Sequence, residues 1–205
     1  MGEVRVLVSV GTDHHQFDRL IELVDDWVAG RDDVVDYVVQ HGSSIPSNLA
    51  TNLDIVSRDL LLQLLEKANV VVVQAGPGSI LDARAMGRLP VAVPRIAARG
   101  EVVDDHQVDF AKEMAAKGEA ILAMDKAVLH VALDRIAADP AGNAKPQSPS
   151  PLPGTAAAIR AELERIAAQP PGRVRLRRML HVARGVFGSV RGGRGSGRAS
   201  SQFRG

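Results

Sequence analysis

The chain has 205 residues, 45% hydrophobic and 24% charged, which is enough for one globular domain with a sizeable core. It contains no cysteine, which excludes disulfides, thiolate metal sites and a cysteine nucleophile, and its four Phe, one Trp and one Tyr are too few for a base-stacking platform. The net charge of +1 combines an acidic body, residues 1–172, with a segment, 173–205, that holds nine arginines and no acid.

Valine-rich apolar runs alternate with helical periodicity along the first 139 residues. The predicted strands are 4–10, 34–40, 53–56, 70–74, 89–93 and 120–122, and the predicted helices are 16–29, 59–68, 79–86, 106–117 and 126–138. Continuous apolar strands that alternate with helices are typical of a parallel sheet covered on both faces. The sequence therefore predicts an α/β domain over 1–139, Rossmann-like, with a doubly wound parallel sheet.

The remaining residues have a different composition. Residues 140–154 are proline-rich and predict a linker, 155–190 predict a helical extension, and 191–205 form a Gly/Arg tail too polar to fold. Within the extension, residues 173–190 place apolar side chains at helical spacing among arginines, which fits a helix lying on anionic lipid. A solvated disordered tail, unspecific RNA contact and contact with the acidic body are the alternatives.

No apolar run approaches the length of about 18 residues that spans a bilayer. The N-terminal residues run directly into the first predicted strand without a signal-peptide pattern. We therefore expect a cytoplasmic protein.

A glycine-containing turn, Gly11-Thr-Asp-His-His15, follows the first predicted strand. In a doubly wound sheet, ligands bind beyond the carboxyl ends of the strands. Glycine allows close approach of a ligand, and Thr12 with the backbone N–H groups could hold a phosphate. The alternative is a tight strand-to-helix turn in which Asp13 caps the following helix.

The loop Gln74-Ala-Gly-Pro-Gly-Ser79 follows the most hydrophobic strand and opens the next helix. The N–H donors and the dipole of a helix N-terminus favour an anion such as a pyrophosphate. The spacing is neither the dinucleotide-binding fingerprint nor a Walker A loop. A compact turn is the structural alternative.

A polar segment, Asp104-Asp-His-Gln107, leads into the fourth predicted helix. Adjacent residues rarely converge on one ion, so helix capping by Asp104 or Asp105 is a better interpretation than metal binding, and we predict no metal site. Gln107 can both donate and accept a hydrogen bond, which suits a sugar hydroxyl.

The three loops, in this order, resemble the C-terminal, donor-binding domain of glycosyltransferase family 28 over roughly residues 1–135. The similar motifs are VLVSVGT at 6–12, FDRL at 17–20, VQHGS at 39–43, QAGPGS at 74–79, GRLP at 87–90, and DDHQ at 104–107 followed by FA at 110–111. The set is most similar to the small catalytic subunits of two-component enzymes of this family, both the exopolysaccharide and capsule type and the dolichol-linked type.

The resemblance implies one half-domain of the GT-B fold with a site for a UDP-sugar. It places Asp82 at the ribose hydroxyls, where the family usually has Glu, and His106 and Gln107 at the donor sugar. His14 is the candidate catalytic base, although the small subunits often carry His directly after Gly-Thr, where this chain has Asp13. Five residues are expected at the donor diphosphate: Gly11, Thr12, Gly76, Gly78 and Ser79.

The resemblance also implies the function. We expect the donor-binding catalytic subunit of a two-component hexosyltransferase in polysaccharide biosynthesis, which moves a hexose-type sugar from a UDP-sugar to a lipid-linked glycan. A complete GT-B enzyme has two Rossmann-like domains, so the acceptor half is expected on a separate, membrane-anchored partner, with this chain peripheral at the inner face of the membrane. No cofactor and no specific nucleic acid are expected. The alternative is a non-catalytic nucleotide-sugar-binding or regulatory module.

Overall fold

The computed structural model describes residues 2–145. Its strands are β1 (Val4–Ser9), β2 (Val34–Gln40), β3 (Thr51–Leu53), β4 (Val70–Gln74), β5 (Val91–Val93) and β6 (Ile121–Leu122). Its α-helices are α1 (Asp18–Val28), α2 (Arg58–Lys67), α3 (Pro77–Ala85), α4 (His106–Ala116) and α5 (Lys126–Ala138). The predicted extension 155–190, its candidate membrane segment 173–190, the tail 191–205 and most of the linker lie outside the described residues.

The six strands form one parallel sheet in the order β3-β2-β1-β4-β5-β6. The chain builds outward from β1 in one direction to β3, then returns to the other side of β1 with β4 and continues to β6. This arrangement confirms the predicted doubly wound α/β fold, and the change of direction falls between β1 and β4.

Alternate residues of the central strands serve two hydrophobic cores, one on each face of the sheet. Val6 and Val8 pack with the apolar faces of α1 and α5, whereas Leu7 packs with those of α2, α3 and α4. β4 behaves in the same way, since Val70 and Val72 belong to the first core and Val71 and Val73 to the second. Burial on both faces is the physical reason for the uninterrupted valine runs.

The third strand is shorter and earlier than the sequence predicts. It ends at Leu53, where the predicted strand 53–56 begins, because Leu53 pairs with Gln40 at the last position of β2. The backbone N–H of His41 then donates to the Leu53 carbonyl, 2.9 Å away. The chain must turn after this point, because Ser57 caps α2 by accepting a hydrogen bond from the Leu60 N–H.

The segment after α5 returns to the body of the domain. Asn143 Nδ2 donates to the Leu89 carbonyl at 3.2 Å, and the Lys145 N–H donates to the Gly87 carbonyl at 3.0 Å. The domain boundary at residues 139 and 140 stays a prediction.

Candidate functional site

The loops that follow β1 and β4 meet above the carboxyl edge of the sheet. β1 and β4 are hydrogen-bonded neighbours, and the winding direction of the sheet changes between them. Doubly wound sheets bind ligands at the carboxyl edge of such a pair of strands. A cavity of about 280 Å³ opens there, which we call the switch-point cavity. Its polar and glycine lining comprises Ser9, Gly11, Thr12, Gln40, Gln74, Gly76, Gly78, Ser79 and Asp82.

The structure brings together one part of the predicted site. Every residue expected at the diphosphate and the ribose lines the switch-point cavity: Gly11, Thr12, Gly76, Gly78, Ser79 and Asp82. Three predicted residues, His14, His106 and Gln107, do not line it. The predicted residues that do line it come from the loop after β1 and from Gly76 with helix α3, which are far apart in sequence, so tertiary folding alone makes them neighbours.

The N-terminus of α3 forms one wall of this cavity. Pro77 is the first helical residue and has no N–H group, and the first hydrogen bond of the helix runs from the Ile80 N–H to the Gly76 carbonyl. The N–H groups of Gly78 and Ser79 therefore have no acceptor within the helix. They are two donors beside the positive end of the helix dipole, an arrangement that favours an anion.

Gln40 holds the loop after β1 from the opposite side. Its Oε1 accepts hydrogen bonds from Ser9 Oγ at 2.7 Å and from the Gly11 N–H at 3.2 Å, and its Nε2 donates to the Gly11 carbonyl at 3.0 Å. The N–H group of Gly11 is thus already paired. Gly11 can contribute close approach to a ligand, whereas its N–H is not a free donor for a phosphate.

Gln74 lies between the two glycine loops, and we assigned it no role from the sequence. Its Oε1 is buried and has no hydrogen-bond partner among the described residues. A Cβ atom at Gly11 would lie 2.2 Å from Gln74 Nε2, and a Cβ at Gly76 would lie 3.1 Å from it. The two glycines therefore make room for this amide, and an unpaired buried acceptor beside a cavity is a group that a ligand can satisfy. The signal available in the sequence was its position at the end of a buried strand.

The Asp82 side chain is largely buried, and its carboxylate forms an ion pair with the Arg58 guanidinium. Arg58, at the start of α2, donates to both carboxylate oxygens, from Nη2 at 2.6 Å and from Nε at 3.4 Å. Because each carboxylate oxygen has two lone pairs, the pair leaves acceptor capacity for ligand hydroxyls. Arg58 is the second residue that sequence reasoning missed, since it is remote from every glycine loop.

The end of the β1 loop does not cap α1. That helix begins at Asp18 with Phe17 at the N-cap position, so the alternative in which Asp13 caps it is wrong. Instead, Asp13 Oδ1 accepts a hydrogen bond from the His15 N–H at 2.9 Å and lies 2.7 Å from His15 Nδ1. The backbone hydrogen bond from His15, assisted by its ring, holds the pKa of Asp13 below its usual range despite partial burial.

His14 faces a second cavity of about 530 Å³, which it lines together with His15, Arg19, Arg99 and other residues. Its side chain is 86% exposed, and its Nδ1 lies 3.5 Å from Asp13 Oδ1. One ligand atom from each of Asp13, His14 and His15 lies within 4.8 Å of the others, so these residues could hold a metal ion.

The segment before α4 fits the capping interpretation in part, because Asp105 stands at the N-cap position and Asp104 accepts from the first N–H of the helix. Asp105 occupies the N-cap position without a capping hydrogen bond; its Oδ1 accepts instead from the Ala97 N–H at 2.9 Å. Asp104 Oδ1 accepts from the His106 N–H at 3.1 Å. The His106 side chain is 91% exposed, and Gln107 Oε1 is buried and unpaired in the described part of the chain. Gln107 thus presents a second unsatisfied acceptor.

Known proteins share this fold. The glycosyltransferase of kitacinnamycin has 22% identity and a TM-score of 0.52, and the match covers 68% of this chain and 36% of that one. The calicheamicin glycosyltransferase CalG4 has 17% identity and a TM-score of 0.50, with 67% and 35% covered. ALG13 has 17% identity and a TM-score of 0.50, with 75% and 93% covered. No curated protein sequence matches the chain.

The sheet order and these likenesses define a Rossmann-like α/β half-domain of the GT-B glycosyltransferase fold. The model of the glycosyltransferase family 28 C-terminal domain matches residues 5–156. The chain belongs to this family, and it spans only about a third of the length of the kitacinnamycin and calicheamicin glycosyltransferases. Within residues 2–145, no helix has the length and apolarity needed to cross a membrane.

Proposed function

We propose that this chain is the donor-binding catalytic subunit of a two-component glycosyltransferase that transfers a hexose-type sugar from a UDP-sugar to a lipid-linked glycan. The observation that carries the proposal is the switch-point cavity, in which six residues expected at the diphosphate and ribose line one space. Membership of family 28 supports a nucleotide-sugar donor.

The proposed chemistry is a displacement at the anomeric carbon of the donor sugar. The bond from that carbon to the diphosphate oxygen breaks, a bond to the acceptor hydroxyl oxygen forms, and the hydroxyl proton passes to a base. The free N–H groups of Gly78 and Ser79 and the dipole of α3 stabilise the charge that develops on the departing diphosphate. His14 is the candidate base on this chain, and a residue of the partner subunit is the alternative.

Asp82 and Gln74 complete the donor site in this proposal. The Asp82 carboxylate accepts hydrogen bonds from the vicinal hydroxyls of the ribose while Arg58 holds it in place. The Gln74 amide, whose Oε1 has no hydrogen-bond partner within residues 2–145, contacts the diphosphate-sugar part of the ligand. His106 and Gln107 contact the donor sugar from the start of α4.

The acceptor is bound by a second, membrane-anchored subunit, and the complex works at the inner face of the membrane. Two observations support this part of the proposal. The motifs are similar to those of small subunits of two-component enzymes, and the structural match to ALG13 covers 93% of that chain. Residues 173–190 are the candidate contact with anionic lipid.

Isothermal titration of the purified chain with UDP, UDP-sugars, ADP and GDP tests the donor site. We expect UDP and at least one UDP-sugar to bind, and Ser79→Ala to weaken UDP binding by about tenfold, the loss of the one charge-assisted hydrogen bond that the hydroxyl can donate while the backbone N–H remains. Thr51→Ala, which removes an exposed hydroxyl from the edge strand β3 outside both cavities, is the control. Failure of every nucleoside diphosphate to bind would contradict the proposal.

Addition of a membrane-anchored acceptor-domain subunit with a lipid-linked glycan tests catalysis. Sugar transfer that requires both chains is the expected result. Donor binding without transfer, with a partner that associates stably, would identify a non-catalytic nucleotide-sugar-binding module instead.

A further inference from the structure

Arg95 is the largest fully buried side chain of the described domain, with 0% of its surface exposed. Arginine is almost never fully buried unless its charge is paired. Among the described residues this guanidinium forms no salt bridge; it lies against the ring of Phe17, 4.7 Å from its centroid, and donates to backbone carbonyls. Burial lowers the pKa of Arg95, and Asp13 and Glu101 oppose this effect through their charges.

The carbonyls that Arg95 contacts belong to two separate segments of the chain. Nη2 donates to the Val10 carbonyl at 3.0 Å, and Nη1 donates to the His15 carbonyl at 2.8 Å, so both ends of the β1 loop are held. Nη1 also donates to the Glu101 carbonyl at 3.0 Å. One rigid, planar group thereby joins the loop 11–15 to the segment 96–105, which leads into α4.

A second arginine reinforces the same connection from α1. Arg19 donates from Nε and Nη2 to the two carboxylate oxygens of Glu101, at 2.7 and 2.9 Å, and from Nη2 to the Pro94 carbonyl at 2.9 Å. Glu101 also accepts from the Ile96 N–H at 2.9 Å. The segment after β5 is therefore closed into a loop on itself and attached to the rest of the domain.

We infer that Arg95 is a positioning residue that couples the β1 loop to the segment before α4, so that the two parts of the donor site move as one unit. The inference rests on the proposed function for its consequence, because Gly11 and Thr12 are assigned to the diphosphate and His106 and Gln107 to the sugar. The described hydrogen bonds of Arg95 go to the backbone carbonyls of Val10, His15, Gln16 and Glu101 and to none of these four site residues, so Arg95 acts through the backbone of the two segments.

Hydrogen–deuterium exchange of the full chain measures this coupling directly. In Arg95→Met, we expect amide exchange in both 11–15 and 96–105 to rise by about tenfold, while exchange in β1 and β4 changes less than about twofold. Arg95→Lys keeps the charge but cannot serve all four carbonyls, which include that of Gln16 at 3.4 Å from Nη1, so we expect an intermediate rise. Arg99→Met, the same change at an exposed site of the same segment, is the matched control.

A second arm adds UDP. In the wild type, we expect ligand bound at the β1 loop to slow exchange in 96–105 as well as in 11–15; in Arg95→Met, we expect protection of 11–15 alone. A role confined to general stability would raise exchange in the strands together with the loops and would leave the shared protection intact. If Arg95→Met raises exchange in the strands together with the loops, or keeps the shared protection by UDP, the inference is overturned. Arg95→Lys provides the same test if the methionine variant does not fold.

The two arms separate this inference from the proposed function. If the wild type binds no nucleoside diphosphate, the proposed function fails, yet the exchange of the ligand-free variants still tests the coupling. If UDP binds and exchange in 96–105 is the same in Arg95→Met as in the wild type, the coupling fails and the proposed function stands.

Discussion

The guanidinium of Arg58 donates to both carboxylate oxygens of Asp82, with its shorter hydrogen bond 2.6 Å long. Arg58 lies on α2 and Asp82 on α3, and their ion pair orients the carboxylate in the wall of the switch-point cavity. The Asp82 side chain is 13% exposed and the Arg58 side chain is 59% exposed. The carboxylate is therefore fixed in the cavity wall, and the guanidinium contacts it from the solvent side. An anion held in this way is suited to hydroxyl donors.

We expect Asp82→Ala to weaken UDP binding by about tenfold, because the ribose loses one or two hydrogen bonds to a charged acceptor. The same substitution should leave the affinity for 2′,3′-dideoxy-UDP unchanged, since that ligand has no diol. Isothermal titration of both ligands measures the difference. Asp59→Ala, an exposed acid beside Arg58 on α2, is the control. Equal losses for UDP and its dideoxy analogue would exclude a contact between Asp82 and the ribose.

Gln74→Glu should weaken UDP binding by about tenfold or more, because it replaces a neutral amide by a carboxylate beside the expected diphosphate, where like charges cost several kcal/mol. Uridine, which lacks phosphate, should lose much less affinity. Gln63→Glu makes the same change at an exposed position of α2 and should have no effect on either ligand. Unchanged UDP affinity in Gln74→Glu would remove this residue from the donor site.

Gly11→Ala and Gly30→Ala form a matched pair that separates backbone strain from obstruction. Both glycines have a left-handed φ, +81° and +82°, so each alanine should destabilise the fold by about 1–2 kcal/mol. The Cβ at Gly11 would clash with the Gln74 amide in the wall of the cavity and force it to move, whereas a Cβ at Gly30 meets nothing within 4 Å. UDP binding should therefore be lost only in Gly11→Ala.

Urea denaturation gives the shared stability cost of the two alanine variants, and titration gives their binding. If Gly11→Ala bound UDP as tightly as Gly30→Ala does, the β1 loop would not be part of the donor site.

Glu101 makes stability depend on acid pH. Burial raises the pKa of Glu101, but hydrogen bonds from Arg19 and the Ile96 N–H outweigh burial, so the pKa lies below its ordinary value of 4.5. A carboxylate whose pKa is depressed in the folded state contributes stability above its unfolded pKa and loses that contribution as the pH falls through the folded pKa. Glu101→Gln should therefore lower the free energy of unfolding at pH 7, by about 1–3 kcal/mol, the range for charge-assisted hydrogen bonds.

Below the ordinary carboxyl pKa, wild type and Glu101→Gln should converge, because the wild-type carboxylate is then becoming protonated. Urea titrations between about pH 7 and pH 3 measure this convergence. Glu113→Gln, which removes an exposed ion pair with Lys117, should follow the wild type at every pH. A constant difference between wild type and Glu101→Gln over this range would assign the effect to packing rather than to charge.

Much of the architecture was predictable because the chain repeats one physical pattern. Continuous valine runs can be buried only between two helical layers, so the alternation of runs and helical spacing predicted a parallel, doubly wound sheet. The positions of the two glycine loops at the carboxyl ends of strands were also predictable, since Gly11 follows one buried strand and Gly76 another. β3 was misplaced because its three residues are half-exposed, and only pairing with β2 determines where they lie.

The site shows where sequence reasoning stops. Gln40 and Gln74 both end a buried strand on either side of β1. The Gln40 amide bonds Gly11 and Ser9, whereas the oxygen of the Gln74 amide has no partner in the part of the chain that the structure describes. Arg58 and Arg95 are ordinary arginines in the sequence; one orients Asp82, and the other is entirely buried. Local spacing determines secondary structure and therefore the fold. The partner of a polar side chain depends on which distant segments the fold brings within hydrogen-bond distance, and only the tertiary structure decides that.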